Sequence, residues 1–333
     1  MKDNKKQYHA LALFSGGLDS MIAIKLMTMQ GIKVTAINMN IGFGSRTDVS
    51  DIMRERAELA GAKFLVLDVR DDYLKKVLFN PKYGYGKHFN PCIDCHGFMF
   101  RIAKEYLTEL DADFMVTGEV LGQRPMSQRS EALGLVKKLA LDEEDLILRP
   151  MCAKNMEITK PEREGWVDRE KLLDISGRSR EVQLRLAAEF GWENFQSPGG
   201  GCLLTDINFT KKMREFIEHN DLEVEDIDVL KNGRHLRLPN GSKLVIGRDK
   251  NENELLEKAI NHKYIKIKAD EIPGPFALLS NSADEEDFNL AARIVLTFAK
   301  TDISTQYSVH MGEKILKTTP LPTREEAHKY FVI

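Results

Sequence analysis

Short apolar runs alternate with longer amphipathic segments along the first 120 residues of the chain. Continuous apolar runs are typical of strands buried on both faces, and apolar residues three or four apart are typical of helices. The pattern predicts strands over 9–14, 34–39, 64–69 and 113–118, with helices over 21–27, 48–59 and 98–110. Because strands and helices alternate, we expect an α/β fold with a doubly wound parallel sheet.

The pattern changes after residue 220. Alternating apolar and polar residues flank Pro239–Ser242, which predicts a β-hairpin over 233–248. The elements expected after it are a helix over 253–259, strands over 264–268 and 276–279, and a helix over 284–300. These elements indicate a smaller C-terminal α+β domain. We therefore expect three parts: the sheet domain in 1–150, a charged, helical and basic extension in 151–222, and the α+β domain in 223–333 after a linker near 220–228.

Composition excludes some classes of protein and leaves others open. The 333 residues carry a net charge of -3, so any contact with nucleic acid must come from local basic patches. No apolar stretch reaches membrane-spanning length, and the first residues lack a signal-peptide core. We expect a cytoplasmic protein with no membrane partner. In a reducing compartment its four cysteines are core residues, metal ligands or reactive thiols rather than disulfides.

The segment Ser15-Gly16-Gly17-Leu18-Asp19-Ser20 joins the first predicted strand to the first helix. Two glycines allow the backbone to turn with exposed N–H groups, the serines add hydroxyl donors, and the helix N-terminus favours an anion. This combination indicates a phosphate site, although a glycine pair can also be only a tight connection. Ligands of such sheets bind beyond the carboxyl ends of the strands, where Asn38, Thr117 and Gly118 also fall.

The Ser-Gly-Gly-Leu-Asp-Ser segment resembles the PP-loop of the ATP pyrophosphatase superfamily, whose members cleave ATP between the α and β phosphates. It lacks the Gly-Lys-Ser/Thr end of a Walker loop. The resemblance implies an ATP site in which Asp19 helps to place Mg²⁺ or the α-phosphate. The residues implied for ATP binding are Ser15, Gly16, Gly17, Asp19, Ser20, Asn38, Thr117 and Gly118.

The cysteines are the second set of candidate catalytic or metal-ligating residues. Cys92 and Cys95 lie three residues apart just before a predicted helix, whose N-terminus is expected to lower their pKa. Cys202 follows the glycines at 199–201, which allow its backbone to approach a ligand closely. Cys152 stands alone after a predicted strand end, and we interpret it as a buried structural thiol.

Asn90-Pro91-Cys92 with Cys95, then a helix and Thr117-Gly118, is similar to the corresponding stretch of the tRNA 2-thiouridylases. The resemblance extends over about residues 8 to 210 and implies that Cys92, Cys95, Cys202 and Asp19 are catalytic. Glu119 follows Gly118, where those enzymes usually have a histidine. The chain also resembles the cluster-dependent tRNA thiolases, which implies a [4Fe-4S] cluster on Cys92, Cys95 and Cys202. Bare catalytic thiols, or a zinc ion that also takes His96, stay open as alternatives.

Candidate RNA contacts come from several basic segments. They include Arg124 in the loop 124–128, and Arg178 and Arg180 in a charged stretch that also holds Lys160, Arg163, Arg169, Lys171 and Arg185. Residues 245–253 and Pro273-Gly274-Pro275 resemble the NFACT-R module, a domain thought to bind RNA, which implies contacts from Arg234, Arg237 and Arg248. Each group can equally be ordinary solvated surface.

Together these features predict an ATP-dependent tRNA sulfurtransferase that adenylates a uridine carbonyl and replaces its oxygen with sulfur. ATP, Mg²⁺ and the [4Fe-4S] cluster are its expected cofactors. Its expected partners are tRNA and a sulfur donor, either sulfide or a persulfide carrier, and a homodimer is possible. Two alternatives stay open: a PP-loop ligase or amidotransferase acting on a small metabolite, and a non-catalytic protein that binds nucleotide and RNA.

Overall fold

The computed structural model describes residues 6–45, 49–195, 201–270 and 272–333 of the chain. It divides into two compact units, Met1–Thr205 and Asp206–Ile333. The middle segment expected at 151–222 is thus shared between the two units. The functional boundaries proposed at 150 and 222 stay predictions.

The first unit is built on a five-stranded parallel sheet with the strand order β3-β2-β1-β4-β5. Its strands are β1 (His9–Leu13), β2 (Lys33–Asn40), β3 (Lys63–Asp68), β4 (Phe114–Thr117) and β5 (Ile147–Leu148). Its helices are α1 (Leu18–Thr28), α2 (Ser50–Ala60), α3 (Arg70–Tyr73), α4 (Cys92–Glu109), α5 (Ser130–Leu139), α6 (Lys160–Arg163) and α7 (Glu181–Glu189). The parallel α/β fold predicted from the alternating pattern is confirmed.

The strand order reverses at β1, which lies in the middle of the sheet. The chain first adds β2 and β3 on one side of β1 and then returns to add β4 and β5 on the other. Such a reversal opens a crevice at the carboxyl ends of β1 and β4, where ligands of doubly wound sheets bind. The glycine segment after β1 and Gly118 after β4 both lie at this crevice.

Two predicted helical boundaries in this unit are wrong. Helix α4 begins at Cys92 rather than at residue 98, so both cysteines of the Cys-x-x-Cys motif lie in its first turn. The stretch 155–193, expected to be helical, holds only the four-residue α6, the nine-residue α7 and short 3₁₀ turns. Gly165 and Gly177, both with positive φ, turn the chain between these pieces.

The second unit is built on a six-stranded sheet in the order β11-β10-β8-β9-β7-β6, with antiparallel neighbours throughout. Its strands are β6 (Arg234–Arg237), β7 (Lys243–Ile246), β8 (Tyr264–Ala269), β9 (Phe276–Ser280), β10 (Tyr307–Met311) and β11 (Lys314–Thr318). Its helices are α8 (Ile207–Ile217), α9 (Val224–Lys231), α10 (Lys250–Lys258), α11 (Glu285–Thr297) and α12 (Arg324–His328). The predicted hairpin and α+β class are confirmed.

The linker expected near 220–228 is wrong, because α9 begins at Val224. Its N-terminus carries a reciprocal capping box in which Glu223 and Asp226 satisfy each other's backbone N–H groups. The hairpin of β10 and β11 was not predicted either. Helix α11 buries Ala292 and Val295 in the core of this unit, which also holds Leu244. No helix of the described residues is both long and apolar enough to cross a membrane.

Candidate active site

Hydrogen bonds within the turn between β1 and α1, and one from Arg56 of α2, fix the conformation of this turn. Gly16 has a φ of +74°, which favours glycine, and Gly17 is the N-cap of α1. The Ser20 hydroxyl donates to the Gly17 carbonyl over 2.7 Å, and the Gly17 N–H donates to Ser15 Oγ over 3.4 Å. Arg56 of α2 donates to the Gly16 carbonyl over 3.1 Å. The loop is therefore fixed in a shape that leaves the first turn of α1 to an anionic ligand.

Gly118 brings the end of β4 against the same turn. A Cβ atom on Gly118 would lie 2.5 Å from both the Asp19 carbonyl carbon and the Ser20 nitrogen, so no larger residue fits. Asn38, at the end of β2, donates from its side-chain amide to the Phe14 carbonyl over 3.0 Å. The strand ends predicted to carry the ATP site are therefore neighbours. Asn38 stabilises the glycine turn through its hydrogen bond to Phe14.

One carboxylate oxygen of Asp19 accepts a hydrogen bond, and the other has no hydrogen-bond donor among the described residues. Its Oδ2 accepts from Gln123 Nε2 over 2.8 Å, whereas Oδ1 is buried without a hydrogen-bond partner among the described residues. Gln123 Oε1 in turn accepts from Gln183 Nε2 of α7 over 3.4 Å, and Gln183 is fully buried. A buried carboxylate oxygen without a donor suits a hard cation such as Mg²⁺. Sequence reasoning missed both glutamines, since only the fold brings them to Asp19.

Three partly exposed cysteines of the first unit form a thiol pocket, in which they lie close enough together to affect one another's pKa. Cys92 and Cys95 occupy the first turn of α4. The segment after Cys202 is held nearby, because Leu203 N–H donates to the Phe43 carbonyl over 2.8 Å and Phe89 N–H donates to the Leu204 carbonyl over 3.2 Å. Gly199 and Gly200, on which the prediction for Cys202 partly relied, lie outside the described residues.

Burial raises the pKa of the thiols instead of lowering it. Burial first, then the neighbouring Cys202 and Cys92, raise the pKa of Cys95, and burial with Cys92 raises the pKa of Cys202 to about 11. The expected lowering by the helix N-terminus is therefore wrong for Cys95, since loss of solvation and thiol–thiol repulsion outweigh the helix dipole. Tyr73, also buried, faces all three thiols, and its pKa is raised by burial and by them.

The three thiols do not form a site for a single metal ion. No group of three or more His, Cys, Asp or Glu side chains within the described ranges is placed to hold a metal ion. A cluster spreads three thiolate ligands over different irons, so it needs them less closely packed than one ion does. A positively charged centre would also offset the mutual repulsion that raises the pKa of these thiols.

Glu119 lies at the centre of a buried ion network. Its Oε1 is 2.7 Å from His96 Nδ1 and its Oε2 is 3.0 Å from Arg149 Nε. Although burial favours the neutral acid, Arg149 and His96 hold the pKa of Glu119 below its ordinary value. Because His96 follows Cys95 and Glu119 follows Gly118, this network joins the thiol pocket to the PP-loop.

Cys152 lies outside the thiol pocket, as predicted. It is fully buried, its Sγ is 3.5 Å from the Glu119 carbonyl oxygen and 3.6 Å from Met156 Sδ, and burial raises its pKa. These contacts are those of a structural thiol.

The basic side chains expected to contact RNA differ in their exposure and in their ion-pair partners. In the first unit, Arg124 and Arg178 are exposed, whereas Arg180 is partly buried with an unpartnered Nε among the described residues. Most of the other cations of this stretch pair with carboxylates: Lys160 with Glu144, Arg163 with Asp145, Arg169 with Glu162, Lys171 with Asp168 and Arg185 with Glu189. Ion pairing of this kind favours the solvated-surface interpretation for those five.

In the second unit, Arg237 and Arg248 are also engaged. Arg237 Nε lies 2.6 Å from Glu215 Oε1, in a network that includes the buried Lys243. Arg248 forms an ion pair with Glu252, which holds the pKa of that glutamate at about 2 against the opposing effect of burial. Arg234 has no carboxylate within ion-pair distance among the described residues.

Two protein families match different parts of this chain. Residues 5–161 match the family of the thiamine biosynthesis protein ThiI, and residues 233–331 match the NFACT protein RNA-binding domain. The chain is thus similar to a PP-loop family in its first part and to an RNA-binding domain in its last. It is also similar to the tRNA thiouridylases, so the predicted resemblances to the PP-loop thiouridylases and to the NFACT-R module are confirmed.

The individual relatives cover different shares of the chain. The tRNA-specific 2-thiouridylase MnmA of Desulforamulus reducens is 30% identical over 157 residues, which are 42% of this chain and 41% of that protein. MnmA of Lactobacillus delbrueckii subsp. bulgaricus is 21% identical over 94% of this chain and 88% of that protein. A solved 4-thiouridine synthetase, in complex with RNA and with bound ATP, is 22% identical with a TM-score of 0.38, over 55% of this chain and 41% of that one.

Proposed function

We propose that this protein is an ATP-dependent tRNA sulfurtransferase that replaces a uridine carbonyl oxygen with sulfur. One observation carries the proposal: Cys92, Cys95 and Cys202 gather in one pocket that the Glu119 network joins to the PP-loop. Adenylation alone does not require thiols, whereas sulfur transfer does. The family match over residues 5–161 and the similarity to the 2-thiouridylases support the same chemistry.

ATP binds with its departing phosphates at the turn between β1 and α1. The N–H groups of the first turn of α1, that of Ser20 included, and the hydroxyl of Ser15 serve as donors to the phosphates, while the Ser20 hydroxyl stays on the Gly17 carbonyl. The unsatisfied Oδ1 of Asp19 is the group that would hold Mg²⁺, which supplies neutralisation of the pyrophosphate charge. Gln123 fixes the orientation of Asp19 by binding its other oxygen.

The reaction takes two displacements. The uridine carbonyl oxygen attacks the α-phosphorus, and pyrophosphate leaves with the electrons of the broken bond. A sulfur nucleophile then adds to the activated carbon, and the carbon–oxygen bond breaks so that AMP carries the former carbonyl oxygen away. A sulfur anion suits the second displacement because it is charged at a pH where a hydroxyl is neutral.

Cys92, Cys95 and Cys202 are the residues that would hold a [4Fe-4S] cluster, which supplies an open iron for the incoming sulfur. With the thiols alone, ionisation is opposed by burial and by their neighbours, because the pKa of Cys202 is raised to about 11. Bare-thiol chemistry therefore needs a cation beside the pocket. His96, which Glu119 holds next to Cys95, is the protein's own candidate for that cation.

The deciding experiment purifies the protein without oxygen, reconstitutes it with iron and sulfide, and supplies ATP, sulfide and bulk tRNA. We expect pyrophosphate release and thiouridine in the nucleoside digest by mass spectrometry. Cys92→Ala, Cys95→Ala and Cys202→Ala are each expected to abolish thiouridine, while the matched Cys152→Ala keeps it. Full turnover in all three variants would contradict the proposal and favour a ligase or amidotransferase on a small metabolite.

Absorbance and iron content separate the forms of the thiol centre. A cluster on three cysteines gives a broad thiolate-to-iron band and about four irons per chain, with loss of both in Cys202→Ala. A colourless, iron-free protein that still makes thiouridine would favour catalytic thiols. The sulfur donor, a homodimer and the cytoplasmic location belong to this proposal as expectations. Absence of pyrophosphate release under every condition would indicate a non-catalytic nucleotide- and RNA-binding protein.

A further inference from the structure

The loop before helix α4 places a side-chain amide against a thiol. Asn90 Nδ2 lies 3.1 Å from Cys92 Sγ, and Asn90 is only 6% exposed. The Oδ1 of the same side chain accepts from the His88 N–H over 3.1 Å. Because a backbone N–H needs an oxygen opposite it, this second contact fixes the orientation of the amide. The group that faces the Cys92 sulfur is therefore the Nδ2 donor.

Asn90 is held in place by its own loop. Its backbone carbonyl accepts from the Gly86 N–H over 2.9 Å, and a Cβ atom on Gly86 would overlap Asn90 Nδ2. The start of the loop is anchored on α4, because the Asp94 carboxylate accepts from the N–H groups of Lys82 and Tyr83 over 2.7 and 3.0 Å. The amide donor is thus fixed by the protein before any substrate binds.

A second donor faces the other sulfur of the Cys-x-x-Cys pair. Tyr73 is fully buried, and its ring packs against those of Phe43 and Phe98, with centroids 6.1 and 6.0 Å away. The Tyr73 hydroxyl has no partner within ordinary hydrogen-bonding distance among the described residues. Burial raises the pKa of Cys95, and the Tyr73 hydroxyl acts on it in the opposite direction. A buried hydroxyl without a partner costs free energy, which a sulfur anion within its reach would offset.

Hydrogen-bond donors matter most when the sulfur is an anion. A hydrogen bond to a charged acceptor is about twice as strong as one between neutral groups. Donors therefore favour a thiolate over a thiol, whereas burial and the neighbouring thiols oppose the thiolate in this pocket. The amide and the phenol supply, one to each sulfur, the stabilisation that the pocket otherwise lacks.

We propose that Asn90 and Tyr73 are positioning residues of the Cys-x-x-Cys pair: Asn90 donates a hydrogen bond to the Cys92 sulfur, and Tyr73 donates one to the Cys95 sulfur, when each sulfur acts as a nucleophile or a ligand. That both sulfurs take part in the reaction rests on the proposed function. The assignment of one donor to each sulfur rests on the contacts of the two side chains.

The test alkylates the full-length, reduced protein with iodoacetamide at one pH, before reconstitution with iron. Fragmentation of the peptide that holds Cys92 and Cys95 gives the rate at each thiol. Asn90→Asp keeps the shape of the side chain and an oxygen for the His88 N–H, but it puts a carboxylate oxygen where the donor was. We expect the rate at Cys92 to fall about tenfold relative to Cys95, since fewer Cys92 thiols are ionised.

Tyr73→Phe keeps the aromatic ring and removes only the hydroxyl. The rate at Cys95 should fall about threefold relative to Cys92, the reverse of the effect of Asn90→Asp. Because the hydroxyl has no partner in the resting protein, this variant should melt at or above the wild-type temperature. A lower melting temperature would mean that the hydroxyl already makes a structural hydrogen bond, and it would overturn the role of Tyr73.

Asn155→Asp is the matched control. It makes the same exchange at an exposed amide of the first unit that donates to the Asp174 carbonyl, and it should leave the ratio of the two rates unchanged. General loosening of the pocket changes both rates together, so the ratio separates donation to one sulfur from structural damage. An unchanged ratio in both Asn90→Asp and Tyr73→Phe would overturn the proposal.

Turnover with ATP, sulfide and tRNA separates this proposal from the proposed function. Asn90→Asp and Tyr73→Phe should release pyrophosphate at the wild-type rate, because adenylation does not require the thiols, but should make about tenfold less thiouridine per pyrophosphate. Absence of thiouridine from the wild type would contradict the proposed function. The alkylation ratios need neither ATP nor tRNA, so they would still decide whether the two donors act on the two sulfurs.

Discussion

Each unit of this protein contains a glutamate between two basic side chains, and the two networks differ in burial and in their position in the fold. Glu119 in the first unit lies between His96 and Arg149, and Glu215 in the second lies between Arg237 and Lys243. In both cases the cations hold the pKa of the glutamate below its ordinary value against the effect of burial. The Glu119 side chain is 4% exposed and that of Glu215 18%, so the first network is the more deeply buried of the two.

The Glu119 and Glu215 networks differ in their position in the fold. Glu119 follows Gly118, which contacts the PP-loop backbone, and its partner His96 follows Cys95. Glu215 instead ties helix α8 to the β6–β7 hairpin, with Lys243 only 1% exposed. A low glutamate pKa in an ion network therefore does not by itself mark a functional site, and the position of the network in the fold is needed as well.

The largest effect is expected from Glu119→Gln. Loss of the carboxylate leaves the buried Arg149 without a counter-charge and His96 without its anionic partner. We expect the first unit to lose on the order of 4 kcal/mol of stability, and pyrophosphate release by the folded protein to fall roughly 100-fold. Denaturant unfolding and kcat at low temperature measure the two effects separately.

Glu162→Gln is the matched control for that variant. Glu162 is 1% exposed and pairs with Arg169 in the same unit, away from the PP-loop and the thiols. It should lower the unfolding free energy while kcat stays at the wild-type value. An equal fall in kcat for both variants would mean that Glu119 acts only through stability.

Glu215→Gln is expected to destabilise the second unit by on the order of 3 kcal/mol, because it leaves Lys243 buried and unpaired. Burial already lowers the pKa of Lys243 to about 8, so part of the loss is relieved by deprotonation as the pH rises. Urea unfolding at pH 7 measures the effect. Glu254→Gln, which breaks the exposed pair with Lys250, should change stability by less than about 0.5 kcal/mol.

His235 supplies a smaller, pH-dependent effect in the second unit. Burial, with Lys212 and Lys243 nearby, lowers the pKa of this histidine well below 6.5, while its Nε2 lies 2.8 Å from the Asn232 carbonyl oxygen. The unfolded chain therefore binds a proton below about pH 6.5 that the folded unit does not. Stability should fall as the pH drops below that value, by at most about 1.4 kcal/mol per pH unit.

His235→Gln should flatten this dependence, whereas His262→Gln, at an exposed position, should leave it unchanged. The measurement is the unfolding free energy of the second unit between pH 7 and 5. The same slope in wild type and His235→Gln would show that another group takes up the proton.

The sequence alone determined the parts of this protein that depend on local pattern. The apolar runs and helical spacing predicted the parallel strands, and the Ser-Gly-Gly-Leu-Asp-Ser segment predicted the glycine turn between β1 and α1. The alternating residues about Pro239–Ser242 predicted the β6–β7 hairpin. Such features succeed because strand period, helix period and glycine turns are properties of neighbouring residues.

Only the tertiary structure decided which distant residues lie close together and how their contacts shift the pKa of each ionisable group. It brought Cys202 to Cys92 and Cys95, and Gln183 through Gln123 to Asp19. It also raised the pKa of Cys95 where the helix N-terminus alone predicted a lower value. The physical reason is that burial, pairing and repulsion depend on contacts between residues far apart in the chain, and no local pattern encodes which carboxylate a given arginine will find.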